Sequence, residues 1–211
     1  MEDTLGALSG TLTATVYYVQ GDLPDDFKER YIDALGKNCF ADVDLALEQD
    51  ESMGWVNIAD PFDTDFDLNK ILWGSYLMVS LRHDAVRLPA AAFKFHLAKA
   101  IKEYLAETGK ERISKAEKEE VKDHLDKQLK KRVLPAIKTF DMVWNLDRGQ
   151  VWFFTTNKKM NELFVDLFED TFGLAVHERN PYTEIERLEL DDGLMEQVLR
   201  VEPAAFAAPP R

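Results

Sequence analysis

The chain has 211 residues, a formal charge of −13, 45% hydrophobic and 31% charged side chains. That length can bury a real core as one large domain or two small lobes, and no apolar run approaches the roughly 18 residues a membrane helix needs. A field this negative repels phosphate, so it counts against a generic nucleic-acid binder unless positive charge is gathered locally. Cys39 is the only cysteine, which excludes an internal disulfide or a Cys-based zinc site and suits a cytoplasmic protein. Residues 1–10 hold no basic side chain, so no signal peptide is expected.

Residues 11–19 alternate loosely and are rich in β-branched and aromatic side chains, the pattern of a strand ended by Gly21. Pro24 opens a helix with Asp25 and Asp26 in its first turn, where the helix dipole favours negative charge. Phe27, Tyr31 and Leu35 are its buried stripe, and Gly36 is placed to end it. Residues 39–53 are acidic and without period, and read as loop. GWVNI (54–58) reads as a short strand.

Asp60, Asp63, Asp65 and Asp67 then alternate with Phe62 and Phe66. Counted from Asp63 as a calcium loop, the sixth position is Leu68 rather than Gly and the twelfth is Gly74 rather than Glu, so the EF-hand pattern fails. A solvated acidic loop anchored by its two phenylalanines is the expectation, with a weak cation site as the alternative. GSYLMVSLR (74–82) is the strongest strand, with Leu77, Val79 and Leu81 on one face and Tyr76, Met78 and Ser80 on the other. Asp84 and Ala85 turn the chain toward the helices.

Pro89 suits a first helical turn. Phe93, Leu97, Ile101 and Leu105 recur every fourth residue, and Gly109 follows as a left-handed stop. A second helix starts near Ser114, dense in Lys and Glu, with Val121, Leu125 and Leu129 as its stripe; Pro135 ends it. The period then changes. Phe140, Met142, Trp144 and Leu146 alternate with Asp141, Val143 and Asn145. Asp147-Arg148-Gly149 is turn chemistry, and residues 150–155 return as a second strand. Asn157 is placed as an N-cap, with Met160, Leu163, Phe164, Leu167 and Phe168 at helical spacing and Gly173 as the stop. Residues 174–179 read as a strand, 182–201 are ambiguous, and 202–211 read as a tail.

No catalytic signature is present. Gly109-Lys110 is followed by Glu111, not by a Walker A pattern. His83, His96, His124 and His177 are scattered, with no carboxylate at ligand spacing. A metal-dependent nuclease needs clustered carboxylates beside a basic groove, and only the 60–67 loop could supply them. Trp55, Trp73, Trp144 and Trp152 could stack on bases, but aromatics in strands are usually core.

The order of features from Met53 to Pro181 resembles RdgC, the recombination-associated DNA-binding family of bacteria, and the Thr11 strand and Pro24 helix fit the start of that family. The pieces are MGWV (53–56), the strand before Leu88-Pro89, EKEEVKDHL (117–125), the Leu134-Pro135 turn, VWNLDRGQVWFF (143–154) and the Arg179-Asn180-Pro181 exit. No one piece is diagnostic; the specificity lies in their order. The resemblance implies a ring-shaped dimer that encircles duplex DNA without sequence preference and restrains recombinase-driven strand exchange. Family members usually continue beyond the position of Pro181. They carry an Arg and an aromatic residue after the turn proline, where Ala136, Ile137 and Lys138 stand here.

What the resemblance implies for this chain is an α+β protein of two sheet-plus-helix lobes (1–87 and 136–182) with a protruding antiparallel helical pair (88–135) and a C-terminal extension (183–211). Phosphate contact falls to Lys99, Lys102, Lys115, Lys118, Lys122, Lys127, Lys130, Lys131 and Arg132, and the dimer contact to Pro135 and Lys138. The expected role is non-catalytic, in DNA recombination or its control, without cofactor or metal and without exonuclease activity. The expected partners are duplex DNA, a second copy and a recombinase or other protein, in the cytoplasm or nucleoid. The alternative is a protein-interaction module that kept the fold and lost DNA binding.

Overall fold

The structure, a computed structural model, describes residues 7–8, 13–47, 49–187 and 192–200. Its elements are β1 (Thr15–Gln20), α1 (Phe27–Lys37), β2 (Glu51–Val56), α2 (Leu68–Ile71), β3 (Leu72–Trp73), β4 (Tyr76–Ala85), α3 (Ala90–Thr108), α4 (Lys115–Lys130), β5 (Ala136–Asn145), β6 (Gln150–Phe153), α5 (Lys158–Phe172), β7 (Ala175–Glu178), α6 (Pro181–Arg187) and α7 (Asp192–Leu199). The expected tail lies outside the described residues, as do Thr11 and Leu12 of the first strand.

The fold is α+β, as the sequence pattern requires. All strands join one antiparallel sheet in the order β2-β4-β5-β6-β1-β7, with β3 on β4. The strands assigned to two separate lobes are therefore bonded together. The join is β4 against β5, ten register pairs from Tyr76↔Asn145 to Ala85↔Ala136. The reason is that both strands carry an apolar residue at every second position. Placed side by side they present one apolar face, which α1 and α5 cover together.

Leu77, Val79 and Leu81 from β4, Met142 and Trp144 from β5, and Val151 and Phe153 from β6 line that face, all buried. Met160, Phe164, Phe168 and Phe172 of α5 recur at fourfold spacing and descend onto it. Phe153 and Phe164 stack at 4.1 Å and 13°. Trp55 Nε1 donates to Thr171 Oγ1 at 2.8 Å, which ties β2 to the end of α5. Tyr31 of α1 stacks on Trp144 at 5.6 Å. The Tyr31 hydroxyl and Trp144 Nε1 are buried with no hydrogen-bond partner among the described residues, and burial pushes the phenol up to about 12.

Several boundaries differ from the sequence pattern. The first helix runs through Gly36 to Lys37, because Asn38 provides the stop. Its backbone N–H and its Nδ2 both donate to Ala34 O. β2 starts at Glu51, inside the supposed loop, and residues 45–47 form a 3-10 turn. Pro89 is the N-cap of α3 rather than its first turn. Within the stretch 182–201, ambiguous in sequence, lie the helices Pro181–Arg187, which starts one residue earlier at the expected exit, and Asp192–Leu199.

The largest difference concerns Asp84 and Ala85, which do not turn but complete β4. Arg82 and Asp84 share the sheet face opposite the core. There Arg82 Nε and NH2 donate to Asp84 Oδ1 and Oδ2 at 2.9 and 2.6 Å. The guanidinium lies between the Phe40 ring at 4.0 Å and the Phe62 ring at 4.8 Å. Phe62, expected as a buried anchor, is exposed and covers this ion pair, while Phe66 is buried. Phe40 can reach Arg82 because its backbone crosses Gly54, where a Cβ would lie 2.5 Å from the Phe40 backbone.

Candidate nucleic-acid interface

The helical pair is an excursion between the adjacent ends of β4 and β5. Neither α3 nor α4 has a buried residue, and the two pack on each other. The expected stripes, Phe93, Leu97, Ile101 and Leu105 against Val121, Leu125 and Leu129, are half-buried. Gly109 caps α3 in the left-handed region, φ 64°.

Ser114 begins α4 with a full capping box. Its N–H donates to Glu117 Oε2 at 2.9 Å, and Glu117 N–H donates to its Oγ at 3.3 Å. The Tyr104 hydroxyl of α3 donates to Glu117 Oε1 at 3.0 Å, and the Lys110 ammonium pairs with the same oxygen. Lys110 first, then the Ser114 donors, hold the Glu117 carboxyl down at about 2. One carboxylate thus fixes the start of α4, the end of α3 and the link between them.

Twelve basic side chains stand against eight acidic ones between residues 90 and 132; the rest of the chain holds 14 basic and 31 acidic. The rest of the chain is therefore strongly negative, whereas the segment 90–132 carries a net positive charge. Within it, the predicted residues fall into distinct groups. Lys99 pairs with Glu103 at 3.6 Å and Lys122 with Glu119 at 2.9 Å. Lys130 bridges Asp50 at 2.6 Å and Asp126 at 2.5 Å, and so binds α4 to the chain before β2. Lys102, Lys115, Lys118, Lys131 and Arg132 are exposed; Lys115 and Lys118 act at longer range on Glu119, whose carboxyl they help to hold below its ordinary value after Lys122. At 100° per residue, Lys115, Lys118 and Lys122 share one side of α4, and Lys127 and Lys131 lie on roughly the opposite side. The cations make two stripes rather than one face. Lys127, Lys130 and Lys131 line a cavity of about 550 Å3 together with Asp50, Asp123 and Asp126, so this cavity is of mixed charge.

At the root, Leu134 is 89% exposed and Ile137 45%, beside the half-buried Pro135. Lys138 is the register partner of His83 across the β4–β5 ladder. This position was available from the sequence, because Lys138 continues the parity of Phe140, Met142 and Trp144, and His83 that of Leu77, Val79 and Leu81. Both therefore stand on the core face, where charge is unexpected.

The acidic loop is occupied by the protein's own cation. Lys70 Nζ donates to Asp63 Oδ2 and Asp65 O at 2.9 Å and to Asp65 Oδ2 at 3.1 Å. Asp67 caps α2, and Asp60 accepts from Phe62 N–H at 2.9 Å. Among the described residues no group of three His, Cys, Asp or Glu side chains could hold a metal ion. Trp55 and Trp144 are fully buried and closed to bases, whereas Trp73 is half-exposed. His177 faces Gln20 and His124 faces Gln128, both at 2.8 Å, and no described helix is long and apolar enough to cross a membrane. No protein-family model matches the chain, and no curated protein matches it.

Proposed function

We propose that the protein is a non-catalytic, RdgC-like DNA-binding protein of recombination or its control, which touches the phosphate backbone of duplex DNA through its helical pair. The observation that carries this reading is the segregation of charge. In a chain of −13, residues 90–132 reverse the balance, with twelve basic against eight acidic side chains on two helices without a fully buried residue, their link and the turn that follows them. Exposed lysines are the chemistry that binds phosphate without reading sequence. Lys102, Lys115, Lys118, Lys131 and Arg132 are the contacts, Lys127 adds to the second stripe, and Lys130 holds the helix in place. In this reading the chain works as a dimer.

The test is fluorescence anisotropy of a labelled duplex across a salt series. Binding should fall steeply with salt, and the quadruple variant K115E/K118E/K131E/R132E should lower the log–log salt slope by about one for each phosphate no longer neutralised. Absence of binding at low salt would sink the proposal. A protein-interaction module is then the reading to pursue, favoured by one observation: Phe95, Leu134 and Ile137 are large apolar side chains left exposed on the pair and its root.

A further inference from the structure

The core face of the sheet ends in charge. Past Leu81 on β4 and Phe140 on β5, the same parity brings His83 and Lys138 side by side. The first turn of α5 passes over them with Asn157 and Lys159, and Arg87 closes one side from the connection into α3. These residues line a cavity of about 210 Å3 that is open to solvent on the side of the exposed Arg87, Lys138 and Lys159. Sites for whole organic ligands start near 300 Å3, so this one fits a group of the size of a phosphate.

Its charge is the second observation. Arg87, Lys138 and Lys159 line it, and among the described residues the one carboxylate they meet is Glu51 of β2. Glu51 Oε2 lies 2.9 Å from Lys159 Nζ and 3.2 Å from His83 Nε2, and its Oε1 lies 3.7 Å from Arg87 NH2. Lys138 has no carboxylate partner among the described residues. Three cations, Arg87, Lys138 and Lys159, thus face one anion among the described residues, with the buried His83 beside them. The positive end of the α5 dipole points the same way. Lys159 and then His83 hold the Glu51 carboxyl below its ordinary value, so the internal anion stays charged.

We propose that this cavity binds a phosphate monoester, with Lys138, Lys159 and Arg87 meeting its oxygens and Glu51 keeping those cations in place when it is empty. A monoester carries about −1.5 to −2 charges at neutral pH, which matches the surplus of the lining. A backbone diester carries one, short of that surplus. The site is separate from the α4 stripes and goes beyond the function proposed above. Two sources supply the chemistry: a free phosphate monoester, or the 5′-terminal phosphate of a DNA end.

Isothermal titration calorimetry of inorganic phosphate into the full chain at low salt tests it without any DNA, so this site and the backbone contacts fail or succeed independently. One saturable site is expected. K138E should weaken it at least about tenfold, as removal of a charge-assisted hydrogen bond does. E51Q should tighten it, a direction that mere damage to the fold would not give. No saturable signal, or one that K138E leaves unchanged, overturns the proposal. Where the site holds, a duplex hairpin bearing a 5′-phosphate or a 5′-hydroxyl separates the sources. Preference for the phosphate, abolished in K138E, identifies a DNA end; equal affinity identifies a free monoester.

Discussion

Arg82 and Asp84 form a buried pair on a single strand, two residues apart, with both side chains satisfied. Removing one partner strands the other charge between two aromatic rings and a sheet, and breaking such a pair costs about 3–5 kcal/mol. Asp84→Ala should lose that much in urea denaturation. The double variant R82M/D84L should recover most of it, since an apolar pair fits the Phe40–Phe62 sandwich. A double variant no more stable than Asp84→Ala would mean that the ion pair specifies the strand rather than merely filling space. Tyr31 is the opposite case. Its hydroxyl is already buried without a partner, so Tyr31→Phe removes an unmet desolvation cost of about 1–3 kcal/mol and should leave stability unchanged or raised. Sequence parity carried the hydrophobic half of β4 but not this half. Arg-His-Asp looks like a strand exit, and only the passage of Phe40 over Gly54 makes the second face a place to bury it.

At the scale of elements, most boundaries follow from chemistry local to them. The helix start near Ser114, the Asn157 cap and the Gly109 and Gly173 stops stood in the sequence and recur in the structure, which adds the capping box at Ser114. What was not legible was the convergence on Glu117 of Tyr104 and Lys110, since helix propensity says nothing of how two helices meet. That convergence makes a prediction with a definite sign. The carboxylate is needed in its charged form, and its folded value of about 2 lies below the ordinary 4.5. Its contribution is complete above pH 4.5 and is lost as the pH falls through about 2. The Ser114 amide resonance should therefore titrate near 2 by NMR. A midpoint near 4.5 would show that the carboxylate meets water instead of Tyr104 and Lys110. Glu117→Gln should keep the reciprocal cap and abolish the titration.

For the whole molecule, the decisive feature is that sheet and helical pair are built from different kinds of sequence. The sheet half was readable because alternation is a strong signal, and the pair because its fourfold stripes are long. The single sheet was not, because each strand's pattern gives a face without naming its neighbour; the β4–β5 ladder that merges the expected lobes spans the whole helical excursion in sequence. The same ladder shows how separable the excursion is. Ala85 and Ala136 are register partners, so the chain leaves the sheet and returns to it at adjacent points, and α3 and α4 bury no residue in between. Val86 still belongs to the body, buried and with its N–H on Asp50 O at 2.8 Å. Replacing residues 88–134 by a short Asn-Gly turn should therefore leave a cooperatively folding body. It gives up the Lys130–Asp50 bridge, a partly exposed pair worth about 1 kcal/mol or less, and gains from a shorter loop closure. The expected outcome is a melting curve shifted by only a few degrees, with duplex binding abolished and phosphate binding at His83 and Lys138 retained. A body that loses its cooperative transition would show instead that the helical pair is a structural clamp on the end of the sheet, and its lysines would then have to be read as solvation.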